Sequence, residues 1–310
     1  ELFLHLLLKI TMKQRFILLV LLLIFPCVNM LSSEESKDSK RVIIICAHPD
    51  DCEITSGGLA LLFTAAGHEV KCVSLTNGNK GHQSYTPIEL AAVRLKETEE
   101  VAKRLKCAYE VVNINDGELL PTLENRLKVI RLIREWKADI VITHRPFDYH
   151  PDHRNASLLV QDAAFMVTVP QMLPEVPAIK NNPLFLYARD RFTTPLPFRS
   201  DIVIDITPVT KEKANLLDAH VSQVYEWLPW INQSNDIIPS DKEGRLNYLE
   251  KNYVIKRGFI TEKDKELLYK WYRYTDLSKV KAIESFQICE YGKQPTEAEI
   301  RDLFPGYSAK

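Results

Sequence analysis

Glycine is scarce in this chain, 10 residues in 310, and none falls where the apolar run after Arg41 ends. That run, Val42-Ile43-Ile44-Ile45-Cys46, leads into Ala47-His48-Pro49-Asp50-Asp51. A dinucleotide fold needs G-x-G-x-x-G at that place, so that backbone N–H groups can cradle a pyrophosphate. Two carboxylates there repel one, which excludes the dinucleotide reading. An excess of either charge is also missing. The 40 basic and 41 acidic side chains nearly cancel, which argues against a nucleic-acid binder. None of the six cysteines, Cys27, Cys46, Cys52, Cys72, Cys107 and Cys289, forms a C-x-x-C pair, so a thiolate zinc knuckle is excluded. Cys46 and Cys72 read as small core residues. Cys52, inside the motif region, reads as a bystander, because His and Asp supply ligands without it. With 10 Gly and 17 Pro the chain is neither low-complexity nor collagen-like, and no internal repeat is visible.

What is present begins with an export segment. Lys13 and Arg15 precede the apolar run from Phe16 to Phe25, the pattern of a signal peptide and too short for a membrane span. Residues 1–33 are assigned to it, with Glu1 to Thr11 read as upstream of a start at Met12. The mature protein is expected outside the cytoplasm, periplasmic or at the cell surface. Ordinary cleavage and lipidation of Cys27 are the two ways it could end. Cys27 is the single expected link to a membrane, and the preceding Phe25-Pro26 suits a lipidation site poorly.

From Arg41 apolar strand-like runs alternate with helix-like segments. Strands are expected at 42–47, 69–76, 109–114, 139–143, 184–188 and 202–206. Helices are expected at 54–67 (capped by Thr55 or Ser56), 87–106, 123–136, 152–169 and 208–224. This alternation predicts an α/β fold: a Rossmann-like, open, mostly parallel sheet with helices on both faces. It covers 41–225, the main domain. Residues 226–310 form a C-terminal aromatic-rich α/β extension on the same domain, with helices at 242–256 and 261–274 and a strand at 282–291. Trp227, Trp230, Trp271, Tyr272 and Tyr274 line a sugar site on one reading, and form core or homo-oligomer contacts on the other.

Ligands of open parallel sheets bind beyond the carboxyl ends of the strands. Two His/Asp clusters fall there, His48-Pro49-Asp50-Asp51 and His150-Pro151-Asp152-His153. Catalytic zinc takes three protein ligands of nitrogen or oxygen type and leaves one position open. His48 and Asp51 can face one point, and His150 or His153 completes a His₂Asp set. The remaining carboxylate suits a general base that takes a proton from the attacking water. Spacing alone does not say which of Asp50 and Asp51 binds metal.

The paired His-Pro-Asp motifs resemble the PIG-L/LmbE-like family of zinc-dependent N-deacetylases. Weaker agreement comes from Thr76-Asn77-Gly78, Gly81, Arg94, Thr143-His144, Asp205-Ile206-Thr207, Lys213 and His220-Val221-Ser222-Gln223. The resemblance spans roughly residues 41–225 and implies that they are the catalytic domain. It implies one Zn2+ per chain held by His48, Asp51 and His153, with Asp50 as general base. It implies that His150 stabilises the oxyanion or protonates the leaving amine, that Asp152 orients His150, and that Arg94 binds a polar or anionic part of the substrate. The family motif commonly reads His-Pro-Asp-Asp-Glu. Here Cys52 intervenes, and Glu53 inherits no role.

The expected activity is therefore removal of an acetyl group from an N-acetylated amino sugar or glycoconjugate. A metal-dependent esterase or amidase is the enzymatic alternative; a carbohydrate-binding protein on the same fold is the non-enzymatic one. A base beside a metal argues against the latter, since binding alone needs none. His82 reads as a surface residue or part of a lid, His68 as a helix-end cation, and His144 as site floor or packing. His220 reads as structural or substrate-reaching.

Overall fold

The computed structural model describes residues 39–307, so the expectations for the export segment and Cys27 lie outside the described residues. Seven strands make one sheet in the order β3-β2-β1-β4-β5-β7-β6. They are β1 (Arg41–Cys46), β2 (Glu69–Ser74), β3 (Ala108–Val111), β4 (Ile140–Thr143), β5 (Leu184–Ala188), β6 (Ile202–Asp205) and β7 (Ile283–Ile288). The first five pair in parallel; β7 runs antiparallel to both β5 and β6. The fold is thus the expected mixed, mostly parallel α/β sheet, and the C-terminal extension contributes a strand to its interior.

The unbroken apolar run of β1 follows from coverage on both faces. Val42, Ile44 and Cys46 point into one core with Leu59 and Phe63 of α1 (Asp51–Ala65). Ile43 and Ile45 point into the other, with Ile130 and Ile133 of α3 (Leu123–Trp136) and Leu159 of α4 (Pro151–Met166). Between them in sequence, α2 (Pro87–Leu105) is opened by a capping box, Thr86 with Glu89, and by Pro87 at its first position. Connections leave β1 toward β2 on one side and β4 toward β5 on the other. The β1/β4 junction is therefore the switch point, where a crevice opens at the strands' carboxyl ends.

Two of the boundaries that differ from the sequence expectation bear on the site. The first helix starts at Asp51, inside the motif, with Asp50 rather than Thr55 or Ser56 as its N-cap. Thr55 instead returns its hydroxyl to the Asp51 carbonyl at 2.7 Å. The expected helix at 208–224 is broken. It runs as α5 (Thr210–Leu217), pauses at His220, and resumes as a π-helix over Ser222–Trp227. Buried Glu97 of α2 accepts the Ser222 N–H at 2.7 Å and its hydroxyl at 3.0 Å, which satisfies the groups freed by the break.

The inserted strand is tied to the helix that carries Asp51. Glu284 of β7 accepts the N–H groups of Gly58 and Leu59 at 2.7 and 2.8 Å, and Lys213 of α5 at 2.6 Å. Lys213 also donates to the Ile54 carbonyl at 3.0 Å. A Cβ on Gly58 would stand 2.5 Å from Ile206 Cγ2, so the close approach requires glycine. Both charged side chains are almost fully buried. Glu284→Ala leaves Lys213 uncompensated and is expected to lower stability by about 3–5 kcal/mol. Urea unfolding measures it, and a loss below about 1 kcal/mol would show that Lys213 finds water or another partner.

Candidate active site

The two motif clusters meet across the β1/β4 switch point. Asp51 Oδ2 lies 3.4 Å from His48 Nδ1 and 3.4 Å from His153 Nε2, and the two nitrogens are 3.2 Å apart. Donors around a tetrahedral zinc at 2.0–2.1 Å stand about 3.3–3.4 Å from one another. The three atoms therefore form one face of such a coordination shell, and this His/Asp group can hold a metal ion. The first turn of α1 aims Asp51 inward, and its Oδ2 accepts the His48 N–H at 2.7 Å. His153 comes from the first turn of α4.

Ligand histidines are usually oriented by a carboxylate on their second nitrogen. His48 Nε2 lies 3.1 Å from Asp116 Oδ1 and 3.2 Å from Asp152 Oδ2. His153 Nδ1 lies 3.1 Å from Asp148 Oδ1, an ion-pair distance without hydrogen-bond alignment. Burial alone disfavours the charged form of His48; Asp116, Asp152 and Asp51 outweigh it and raise its pKa well above the ordinary value. Burial likewise opposes ionisation of Asp51, but His153 and His144 hold its carboxyl well below the usual range.

Asp50 stands beside this group in an uncommon backbone conformation, φ 145° and ψ −23°. For a residue other than glycine that is a strained state, of a kind that clusters at functional sites. Its side chain makes no capping hydrogen bond. It faces Arg94 instead, with Oδ2 3.3 Å from the guanidinium. Its pKa is raised to about 6, because burial pushes it up by more than Arg94 pulls it down, and Asp51 adds to the rise. His150 caps α4: its Nδ1 accepts the Asp152 backbone N–H at 3.2 Å. An accepting Nδ1 puts the proton of the neutral ring on Nε2, the nitrogen nearer Asp116.

Comparison with known proteins agrees with this geometry. The PIG-L model, described as GlcNAc-PI de-N-acetylase, matches residues 43–164. A diacetylchitobiose deacetylase of Thermococcus kodakarensis is 30% identical over 206 residues, 64% of this chain and 76% of the relative. The chain belongs to the PIG-L family. Among solved structures, the N,N'-diacetylchitobiose deacetylase of Pyrococcus horikoshii shares the fold at a TM-score of 0.60 and 24% identity, over 82% of this chain and 85% of that one. The 4-carboxy-2-hydroxymuconate hydratase of Pseudomonas putida does so at 0.63 and 19%, over 83% and 98%.

Within this PIG-L chain two expected roles need correction. Arg94 is 1% exposed, and its guanidinium is committed to Asp50 and, at 3.0 Å, to Glu97 one helical turn on. The buried face of α2 places it under the site, as a support for Asp50. Asp152 does not direct its carboxylate at His150. It holds His48 and accepts the N–H groups of Gly117 at 2.6 Å and Leu119 at 3.2 Å. The hydrogen bond between the two residues runs through the Asp152 backbone N–H.

Asp116 and Asp148 were not foreseen. Their only sequence signals are an Asn-Asp-Gly turn after β3 and a place two residues before His150. His144 belongs to the site floor. Its ring stacks on His153 at 4.1 Å between centroids, and its Nε2 accepts the Ala47 N–H at 3.1 Å. His220 is structural, fully buried and 2.8 Å from Glu53. Glu53, which inherited no role from the motif, thus lies behind the site. Buried Cys52 contacts the carbonyls of Ile44 and Val73.

Proposed function

We propose that the chain is a zinc-dependent hydrolase that removes the acetyl group from an N-acetylated amino sugar. The observation that carries this is the triangle of His48 Nδ1, Asp51 Oδ2 and His153 Nε2 with the carboxylate of Asp50 beside it. The kinship with a diacetylchitobiose deacetylase supports the sugar class. The sheet alone does not decide the chemistry, since a hydratase shares it.

His48, Asp51 and His153 would hold the ion, and zinc there would supply Lewis acidity. Asp50, steadied by Arg94, takes the water's proton as the C–O bond forms. His150 offers its Nε2–H to the oxygen on which negative charge develops. The C–N bond then breaks, and the proton passes to the departing nitrogen, giving acetate and a free amine. Asp116, Asp152 and Asp148 keep the ligand rings turned toward the ion.

Acetate release from N-acetylglucosamine glycosides, compared with free N-acetylglucosamine and O-acetyl sugars, tests the reading. Turnover of an N-acetyl sugar, abolished by a chelator and restored by zinc, is expected. Turnover of O-acetyl sugars alone would transfer the site to an esterase.

The protein also works outside the cytoplasm, on the evidence of the basic-then-apolar run from Lys13 to Phe25. Mass spectrometry of the native protein should find residues before about Ser33 absent. A diacylglyceryl mass on Cys27 would mark a lipoprotein, and an intact N-terminus in a cytoplasmic fraction would refute export.

A further inference from the structure

The residue that the proposed chemistry asks most of has few restraints of its own. The Asp50 side chain makes no capping hydrogen bond. What meets its carboxylate is Arg94, with Nη2 3.3 Å from Oδ2. A group that removes a proton from an attacking water must point in one direction, and a misplacement of about 1 Å can cost about 100-fold in rate. The aim of Asp50 therefore depends on what fixes Arg94.

Arg94 is fixed on its other sides by two residues. Its Nε lies against Gly78, which adopts φ 64°. A Cβ on Gly78 would stand 3.3 Å from that Nε and 2.9 Å from Pro49 Cδ, so glycine leaves the guanidinium its place beside the motif proline. Its Nη1 donates to Glu97 Oε2 at 3.0 Å. One guanidinium thus carries a carboxylate on each terminal nitrogen, Asp50 on one and Glu97 on the other. A rigid planar fork relays orientation between two such partners in a way a flexible ammonium does not.

Glu97 is itself held. Its Oε1 accepts the Ser222 N–H at 2.7 Å, and its Oε2 also accepts the Ser222 hydroxyl at 3.0 Å. Arg94, Glu97 and Ser222 are all buried. Glu97 therefore receives an N–H on each oxygen, one from α2 and one from the start of the π-helix. A carboxylate can do this, whereas an amide has a single acceptor oxygen. The break before the π-helix, which leaves the Ser222 N–H without a helical partner, is what gives Glu97 its second anchor.

We propose that Glu97 is a positioning residue for the reaction. It fixes Arg94, and through Arg94 the direction of the Asp50 carboxylate. It acts from behind the site: its side chain meets Arg94, Ser222 and, at 3.9 Å, His220 Nδ1, and none of these is a metal donor. The proposal rests on the deacetylase reading above, with Asp50 as its base.

The test is a double-mutant cycle in the full chain. Glu97→Ala and Glu97→Gln are made alone and together with Asp50→Asn, and kcat and KM for acetate release are measured beside zinc content and Tm. Glu97→Ala is expected to lower kcat about 10–100-fold with KM and zinc unchanged. In the Asp50→Asn background the same change should cost nothing further, because its effect passes through the Asp50 carboxylate. Glu97→Gln, which offers one acceptor oxygen to two N–H donors, should lose less and carries the same cycle if Glu97→Ala does not fold. An equal loss of kcat in both backgrounds would make Glu97 a part of the fold alone and overturn the proposal, as would an unchanged kcat. If the wild type released no acetate, the deacetylase reading would fail, and crystal structures of the wild type and the variant would decide the positioning. Arg94 remaining about 3.3 Å from Asp50 without Glu97 would overturn it; a guanidinium that leaves Asp50 would uphold it.

Discussion

Asp50→Asn is expected to keep its zinc and its KM and to lose about 10²–10⁴-fold in kcat. The substitution changes one oxygen to an amide nitrogen and removes the ability to take a proton, the contribution usual for a general base. It corresponds to about 3–5.5 kcal/mol of barrier. The fold should survive for two reasons. Asn has the size and shape of Asp, so it brings no steric demand of its own to the backbone at φ 145°. Arg94 also retains Glu97 at 3.0 Å as a partner. Steady-state acetate release, with zinc measured on the same preparation, separates a lost base from a lost metal. The competing account makes Asp50 a helix cap alone, although its side chain makes no capping bond. That account predicts near wild-type turnover, and such a result would sink the mechanism.

The second large effect concerns the metal. His48→Ala and His153→Ala each leave two of the three donors, and both are expected to purify as folded, zinc-free and inactive proteins. Their loss of affinity should exceed the about 10–100-fold that removing an outer carboxylate costs. Asp148→Ala and Asp152→Ala, which leave the donors in place but free the rings, should show that smaller loss. Zinc analysis after dialysis against a graded chelator ranks the four variants. Full zinc occupancy in His48→Ala alone would place the ion on Asp51 with His144 and His153, atoms that also lie close together, and full occupancy in both variants would show that it sits elsewhere.

Much of this site was legible because its signals are local. A strand that is apolar throughout and ends in His-Pro-Asp-Asp announces both a buried parallel strand and the residues at its mouth. The same holds for the run ending at Thr143 and the cluster that follows it. The helix boundary at Asp51 was not legible. Thr55 and Ser56 are good caps by type, and nothing in the sequence says that Asp50 adopts φ 145° and lets the helix begin inside the motif. The break before the π-helix was hidden for a similar reason. It is satisfied by Glu97, 125 positions away along the chain.

The sequence by itself determined the alternating architecture, the two strand ends where the His/Asp clusters sit, and the residue types they could offer to a metal. These depend on periodicity and on neighbours a few positions apart. Only the tertiary structure decided which carboxylate meets which ring. It gave Asp152 to His48, 104 positions away, and not to His150 two positions away. It turned Arg94 inward beneath Asp50, brought Asp116 and Asp148 to the rings, and placed the C-terminal strand β7 between β5 and β6. The physical reason is that such pairings are made by crossover connections that return distant strand ends to one crevice. A side chain's partner there follows from the order of strands in the sheet, which no local stretch of sequence encodes.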